Sequence, residues 1–232
     1  MHADNNKIKK IASMFSEIAG RYDFINTVLS LGSDRIWRKK VVKIATTKHC
    51  ETILDVATGT GKVALEALKQ NSESRVFGID PSLEMLRLAK SNGEFPVYLS
   101  GNAEDLPFKE SAFDCVTVAF GIRNFIDLEN GLQEIFRVLK SGGIIAVLEF
   151  SLPGNVIARS LYEFYLGHII PIFGKSLSGT RAYYYLRDTI RTFPRDHEMM
   201  GIFEECGFEN VRFIKFSLGV VACYIGEKPD IT

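Results

Sequence analysis

Between residues 52 and 150, short apolar segments alternate with helical ones, and few folds accommodate that alternation. Residues 52–57, 75–79, 97–99, 113–119 and 144–150 read as strands. Helical spacing fills residues 62–69, a stretch whose apolar positions include Leu83, Met85, Leu86 and Ala89, and residues 128–139. Strands this short and apolar belong in a parallel sheet covered by helices on both faces. The last two strands, 211–217 and 220–226, lie only a few residues apart. A parallel crossover needs about a dozen residues, so these two are expected to be an antiparallel pair closing the sheet. The expected fold class is α/β, Rossmann-like, with seven strands, mostly parallel, and the last antiparallel.

Upstream, Ile8, Ile11, Met14, Phe15 and Ile18, then Ile25, Val28 and Leu29, recur near helical spacing. This predicts a helix, a break near Gly20 and a second short helix. Ser33 or Asp34 is placed to cap a further helix over 36–44. The 232 residues are enough for one large core. We therefore expect a single domain over 1–232. It divides into N-terminal helices (1–50), a cofactor-binding core (51–153), an aromatic-rich insertion (154–195) and a closing helix with the strand pair (196–232).

Composition removes several classes of function. Lys plus Arg equals Asp plus Glu at 28 each, so no global positive field draws the chain to nucleic acid. The four cysteines form no CxxC pair, and four scattered histidines leave no zinc pattern; buried thiols in a reducing cytoplasm are expected, and no metal. The N-terminus has no secretory apolar region, and the longest apolar runs are too short to span a bilayer.

The most informative junction is Asp55 to Gly61, DVATGTG. Glycines at a strand-to-helix turn bring backbone amides close to a ligand. Asp80, which ends the next strand, is placed to accept both hydroxyls of a ribose. Together they point to an adenosine-containing cofactor, with a purely structural turn as the alternative. The dinucleotide fingerprint lacks its third glycine, since Lys62, Val63 and Ala64 follow GTG, and GTGK does not meet the phosphate-loop pattern.

At the end of the fourth strand the sequence reads FGIRNFID, residues 120–127. Arg123 and Asn124 fall where that strand reaches the cofactor side of the sheet. Arg123 can stabilise an oxyanion or pair with Asp127 at i,i+4. Asn124 can hold an acceptor or cap the following helix.

Beyond these pieces, the chain resembles the UbiE/MenG family of quinone-biosynthesis C-methyltransferases over nearly its full length. The segments carrying the resemblance are MFSEIAGRYDFIN (14–26), LSLGSDRIWRK (29–39), LDVATGTGKVA (54–64), GIDPSLEML (78–86), GNAEDLPFKESAFDCVTVAFGIRNFID (101–127), EIFRVLKSGG (134–143), VLEFS (147–151) and YYYLRDTIRTFP (183–194). FGxRN combined with RYDxxN and the late YxYL…FP is the specific part. The resemblance implies a class I S-adenosylmethionine-dependent methyltransferase. Its cofactor would be held by Thr60 with Asp55, Gly59 and Gly61 nearby, its ribose by Asp80, and its adenine by Met85, Asn102 and Ala103. The position before FG, often a small hydroxyl residue in relatives, is Ala119, where only backbone can serve. Relatives often carry Asp where this chain has Lys62, a cation at a helix N-terminus, and Pro where it has Ser141.

The implied reaction is methyl transfer to a ring carbon of demethylmenaquinol; a benzoquinol or both quinols is the close alternative. Another small-molecule methyltransferase, a dehydrogenase and a nonenzymatic adenosine-binding domain are the wider ones. The implied catalytic residues are Arg123 and Asn124, with Tyr22 and Asp23 from a helical lid. Asp23 is also readable as a helix cap or a partner of Arg21, and Glu149 is a weaker base candidate. Tyr183, Tyr184 and Tyr185 are as readable as packing residues. A polyprenylated quinol calls for an apolar channel, for which residues 156–173 are the candidate wall or, alternatively, a homodimer surface. The expected location is cytoplasmic, with transient contact to the inner membrane face.

Overall fold

The central strands Thr52–Val56, Phe113–Ala119, Leu139–Phe150 and Val221–Glu227 are apolar because helices cover both faces of the sheet there, whereas Val97–Ser100 and Glu209–Phe216, at its edges, are partly exposed. The computed structural model describes residues 2–30, 32–93, 95–169 and 180–230, with only part of the side chains in 2–30 and 169–186. In chain order the elements are α1 (His2–Leu29), α2 (Asp34–Ala45), β1 (Thr52–Val56), α3 (Lys62–Gln70), β2 (Arg75–Asp80), α4 (Leu83–Lys90), β3 (Val97–Ser100) and β4 (Phe113–Ala119). There follow a 3-10 turn (Ile122–Asn124), α5 (Leu128–Val138), β5 (Leu139–Phe150), α6 (Val156–Phe164), a π-helical turn (Tyr165–Ile169) and α7 (Thr180–Thr192). The chain closes with α8 (His197–Glu205), β6 (Glu209–Phe216) and β7 (Val221–Glu227).

One seven-stranded sheet runs in the order β3-β2-β1-β4-β5-β7-β6. β7 is antiparallel to both its neighbours, β5 and β6, while the other pairings are parallel. The expected closing pair is therefore present, with β7 inserted between β5 and β6. Successive strand residues face opposite layers, as the two-residue period requires. Ile53, Cys115, Ile144 and Cys223 pack with α2, α3 and α4. Leu54, Val116, Ile145 and Tyr224 pack with α5 and α8. Burying each such aliphatic side chain contributes roughly 1.5–3 kcal/mol, so the two layers hold the sheet. The four cysteines are free and buried.

The N-terminus departs from expectation. α1 is one helix of 28 residues that passes through Gly20 without a break. A mid-helix glycine costs only about 1 kcal/mol relative to alanine, and contacts along the helix offset it. One of these joins Ser16 Oγ to Ser82 Oγ at the head of α4, at 2.9 Å. α2 begins at Asp34, but Ser33 makes no side-chain cap. Of the apolar positions of α4, Met85, Leu86 and Ala89 are buried and Leu83 is exposed.

Candidate functional site

The sheet order reverses between β1 and β4, and ligands bind at such switch points, outside the carboxyl ends of the strands. Here an open cavity of about 1010 Å³ lies between the ends of β1, β2 and β4, the loops after β3 and β4, and one side of α1. Two residues beside it, Ala57 at φ 54° and Phe120 at φ 57°, hold left-handed backbone that disfavours side chains other than glycine. Both sit where a strand turns away. A side chain at Gly121 would collide with the Ala57 methyl group, so the two turns pack closely only because residue 121 is glycine.

The glycine turn is fixed from below. Asp55 Oδ2 accepts from Thr58 Oγ1 at 2.6 Å, and Oδ1 accepts from Thr117 Oγ1 at 2.7 Å on the adjoining strand. Asp55 does not line the cavity; it is a support beneath the turn, which corrects its expected place among the ligand contacts. Burial pushes its carboxyl up to about 6. Above it Gly59 has φ 56°, and a Cβ there would meet nothing within 4 Å, so the turn presents bare backbone to open space. Gly61, also left-handed, starts α3, and Thr60 lines the cavity.

Asp80 also lines the cavity. Its Oδ2 accepts from Gly59 N at 2.9 Å and its Oδ1 from Ser82 N at 2.8 Å. Burial pushes this carboxyl up to about 6 as well, against the pull of its two backbone hydrogen bonds. Met85, Asn102 and Ala103 gather at the same end, opposite Ile11, Ala12 and Phe15 of α1. Asn102 Nδ2 donates to Glu104 Oε2 at 3.2 Å, and Ala119 lines the far wall.

The residues expected to be catalytic are arranged differently. Asn124 lines the cavity, and its Oδ1 accepts from Tyr185 Oη at 2.9 Å, which ties α7 to the turn after β4. It is not the helix cap, because Asp127 Oδ1 accepts from Asn130 N to start α5. Arg123 is turned away from the cavity. Its Nη1 meets Glu149 Oε1 at 2.6 Å and Phe120 O at 2.7 Å, with 4% of the arginine side chain and none of the glutamate exposed. Neither a free oxyanion donor nor a surface pair with Asp127 describes it. Glu149 is raised by burial, although the Arg123 guanidinium counteracts that shift.

Asp23 reaches the cavity, but both oxygens are engaged: Oδ1 accepts from Thr60 Oγ1 at 2.9 Å and Oδ2 lies 3.2 Å from Lys62 Nζ. It pins α1 on the glycine turn, and it gives Lys62 the counter-charge that its helix N-terminus does not. The side chains of Tyr22, Tyr183 and Tyr184 lie outside the described residues, as do residues 170–173 of the expected channel wall.

As a sequence, Arg38 to Lys43 reads as a basic patch on a solvated helix face; the structure corrects this for Arg38, which is buried and lines the cavity. The signal was available: Asp34 and Arg38 fall on the same stripe of α2 that buries Trp37, Val41, Val42 and Ala45.

Residues 2–228 match the profile of the UbiE/COQ5 methyltransferase family. The ubiquinone/menaquinone biosynthesis C-methyltransferase UbiE of Geotalea daltonii is 43% identical over 96% of this chain and 97% of its own length. The demethylmenaquinone methyltransferase of Thermus thermophilus is 39% identical over 93% of this chain and all of its own. Among solved structures, a SAM-dependent methyltransferase from Thermotoga maritima superposes with a TM-score of 0.66, covering 93% of this chain and 98% of its own at 20% identity, a likeness of fold. On these matches, the chain belongs to the UbiE/COQ5 methyltransferase family.

Proposed function

We propose that this protein transfers the methyl group of S-adenosylmethionine to a ring carbon of demethylmenaquinol, giving menaquinol. The observation carrying the reading is one cavity that has the glycine turn and Asp80 on one wall and Asn124, Phe120 and Phe125 on the other. The residues fit the cofactor: open space over Gly59 admits a ligand against backbone, and Asp80 is a buried acceptor with no cation against it among the described residues, suited to the paired hydroxyls of a ribose. Asp80, Gly59 and Thr60 would hold the ribose and the amino-acid arm. Met85, Asn102 and Ala103 would hold the adenine. When bound, the cofactor supplies an electrophilic methyl on a sulfonium.

The protein's part is orientation. A quinol ring becomes nucleophilic at carbon as a hydroxyl gives up its proton, and a fixed donor beside that oxygen stabilises the developing charge. Asn124 supplies the donor. Because its Oδ1 accepts from Tyr185, its Nδ2 is the group left to meet the quinol oxygen. The buried Arg123–Glu149 pair holds the turn that carries it.

Offering both quinols with a labelled methyl donor and weighing the products tests the reading. Methylation of a soluble phenol with neither quinol touched rejects it. A dual specificity is favoured by the combined ubiquinone/menaquinone name of the Geotalea relative, and the same assay reads it. Val156, Ile157, Leu161 and Phe164 of α6 are exposed, and no helix among the described residues is long and apolar enough to cross a membrane. A cytoplasmic enzyme resting this face on the inner membrane leaflet would reach a polyprenylated substrate. Flotation with quinol-loaded vesicles supports that docking, and a protein wholly in the aqueous layer, or dimeric through this face, rejects it.

A further inference from the structure

Among the described residues lining the cavity there are two cations, Lys62 and Arg38. Lys62 is half-exposed and engaged by Asp23. Arg38 is 8% exposed, and its Nη1 lies 2.9 Å from Oδ2 of Asp34, which is itself buried. Asp34 is held in turn by Ser30, whose hydroxyl donates to Oδ1 at 3.1 Å. A buried ion pair on the apolar stripe of a helix carries a desolvation penalty that an aliphatic pair would avoid. Its retention at a cavity wall calls for a use of the charge.

Position narrows that use. Trp37, the preceding residue, packs its ring 6.2 Å from Phe120 and donates from Nε1 to Ser217 Oγ at 3.0 Å, fixing α2 behind the end of β4. Asp80 ends β2, and β1 stands between β2 and β4 in the sheet. Two strand spacings separate the Asp80 and Phe120 ends by about 10 Å. A ligand with its ribose at Asp80 and its adenine at Met85 therefore extends its other end across the glycine turn, toward α2. In S-adenosylmethionine that end is an amino acid, with a carboxylate that needs donors.

We propose that Arg38 binds the α-carboxylate of the cofactor's amino-acid arm and that Asp34 holds the guanidinium in place for it. The assignment rests on the S-adenosylmethionine reading above. A guanidinium presents five N–H donors in a planar fork that matches a carboxylate, and its contact with Asp34 is an ion pair that leaves those donors for the ligand. The arm is zwitterionic, so its own ammonium offsets the second carboxylate brought to the arginine.

Two ligands separate this role from a structural one. S-Adenosylhomocysteine carries the carboxylate; 5′-methylthioadenosine has the same adenosine and thioether sulfur without it. In calorimetric titrations, Arg38→Gln is expected to weaken S-adenosylhomocysteine binding about 50-fold, the scale of one or two hydrogen bonds to a charged group. It should leave methylthioadenosine within about twofold, as nothing else at the adenosine end has changed. Equal losses for both ligands, or no loss for either, overturn the assignment. If Arg38→Gln does not fold, Arg38→Lys keeps a cation opposite Asp34; the ratio of the two affinities should then fall about tenfold, because an ammonium lacks the fork. An unchanged ratio overturns the proposal. Failure of the unaltered protein to bind either ligand rejects the cofactor reading itself, and with it this assignment.

Discussion

The two walls of the cavity are built on different plans. On the wall that carries Asp80, Asp55 and Asp80 lie at or next to the ends of adjacent buried strands, and their partners Thr58, Gly59, Ser82 and Thr117 belong to the sheet or to the turns that leave it. On the other wall, side chain meets side chain between separate elements: Asp23 of α1 with Thr60, Arg123 of the turn after β4 with Glu149 of β5, and Asn124 of the same turn with Tyr185 of α7. The first wall is rigid because the sheet is. The second is assembled from α1, α7 and the turn after β4, and stays in place through side-chain pairs. Groups that read as reactive in the sequence, Asp23 and Arg123, are the ones that make those pairs.

This contrast can be broken most directly at the buried pair. Arg123→Ala leaves Glu149 buried and uncompensated, which is expected to cost about 3–5 kcal/mol of stability. Arg123→Met with Glu149→Leu should recover most of that in denaturant melts. A single variant with unchanged stability and lost turnover would return Arg123 to the chemistry. On the other wall, Asp80→Asn should weaken S-adenosylhomocysteine binding about a hundredfold through loss of two hydrogen bonds to a charged group, with the fold intact by circular dichroism. A loss of only a few fold would mean that the ribose lies elsewhere.

Protons test the nucleotide wall more finely. Asp55 and Asp80 sit near 6 when folded, above the usual carboxylate range, so the folded protein binds their protons more tightly than the unfolded chain does. The ligand-free protein should therefore gain stability as pH falls from 7 to 5, by about 1 kcal/mol for each group, and Asp80→Asn should remove its share. Ligand binding should change the other way. A ribose favours the ionised carboxylate, so affinity should fall as pH drops through about 6. The smallest effect is expected from Asp23→Asn, which loosens a partly exposed pair worth about 0.2–1 kcal/mol. A few-fold faster release of S-adenosylhomocysteine, with unchanged thermal stability, would identify α1 as a lid latched on Lys62 and Thr60; unchanged release would make the contact incidental.

Much of the nucleotide wall was legible because its signals are local. A glycine turn after an apolar strand, a carboxylate at the end of the next and Asn102–Ala103 after the third are each placed by their own strand, and the sheet order brings them to one cavity. The break expected at Gly20 failed for the opposite reason. Glycine's propensity is a small local term, and the contacts that carry α1 past it, such as Ser16 to Ser82, are made 66 residues away. Arg38 was visible as a charge on an apolar stripe, yet the stripe alone does not say that a cavity borders it.

By itself the sequence determined the alternation of strands and helices, the antiparallel closure and the placing of the glycine turn at a strand end, since periodicity and turn chemistry act over a few residues. Tertiary structure alone decided which charged groups face the cavity and which are consumed by partners. Arg123 meets Glu149 across 26 residues, and Asp23 meets Thr60 across 37. A side chain's chemistry is written at its own position, but its protonation, orientation and availability depend on neighbours that only folding brings within a few ångströms.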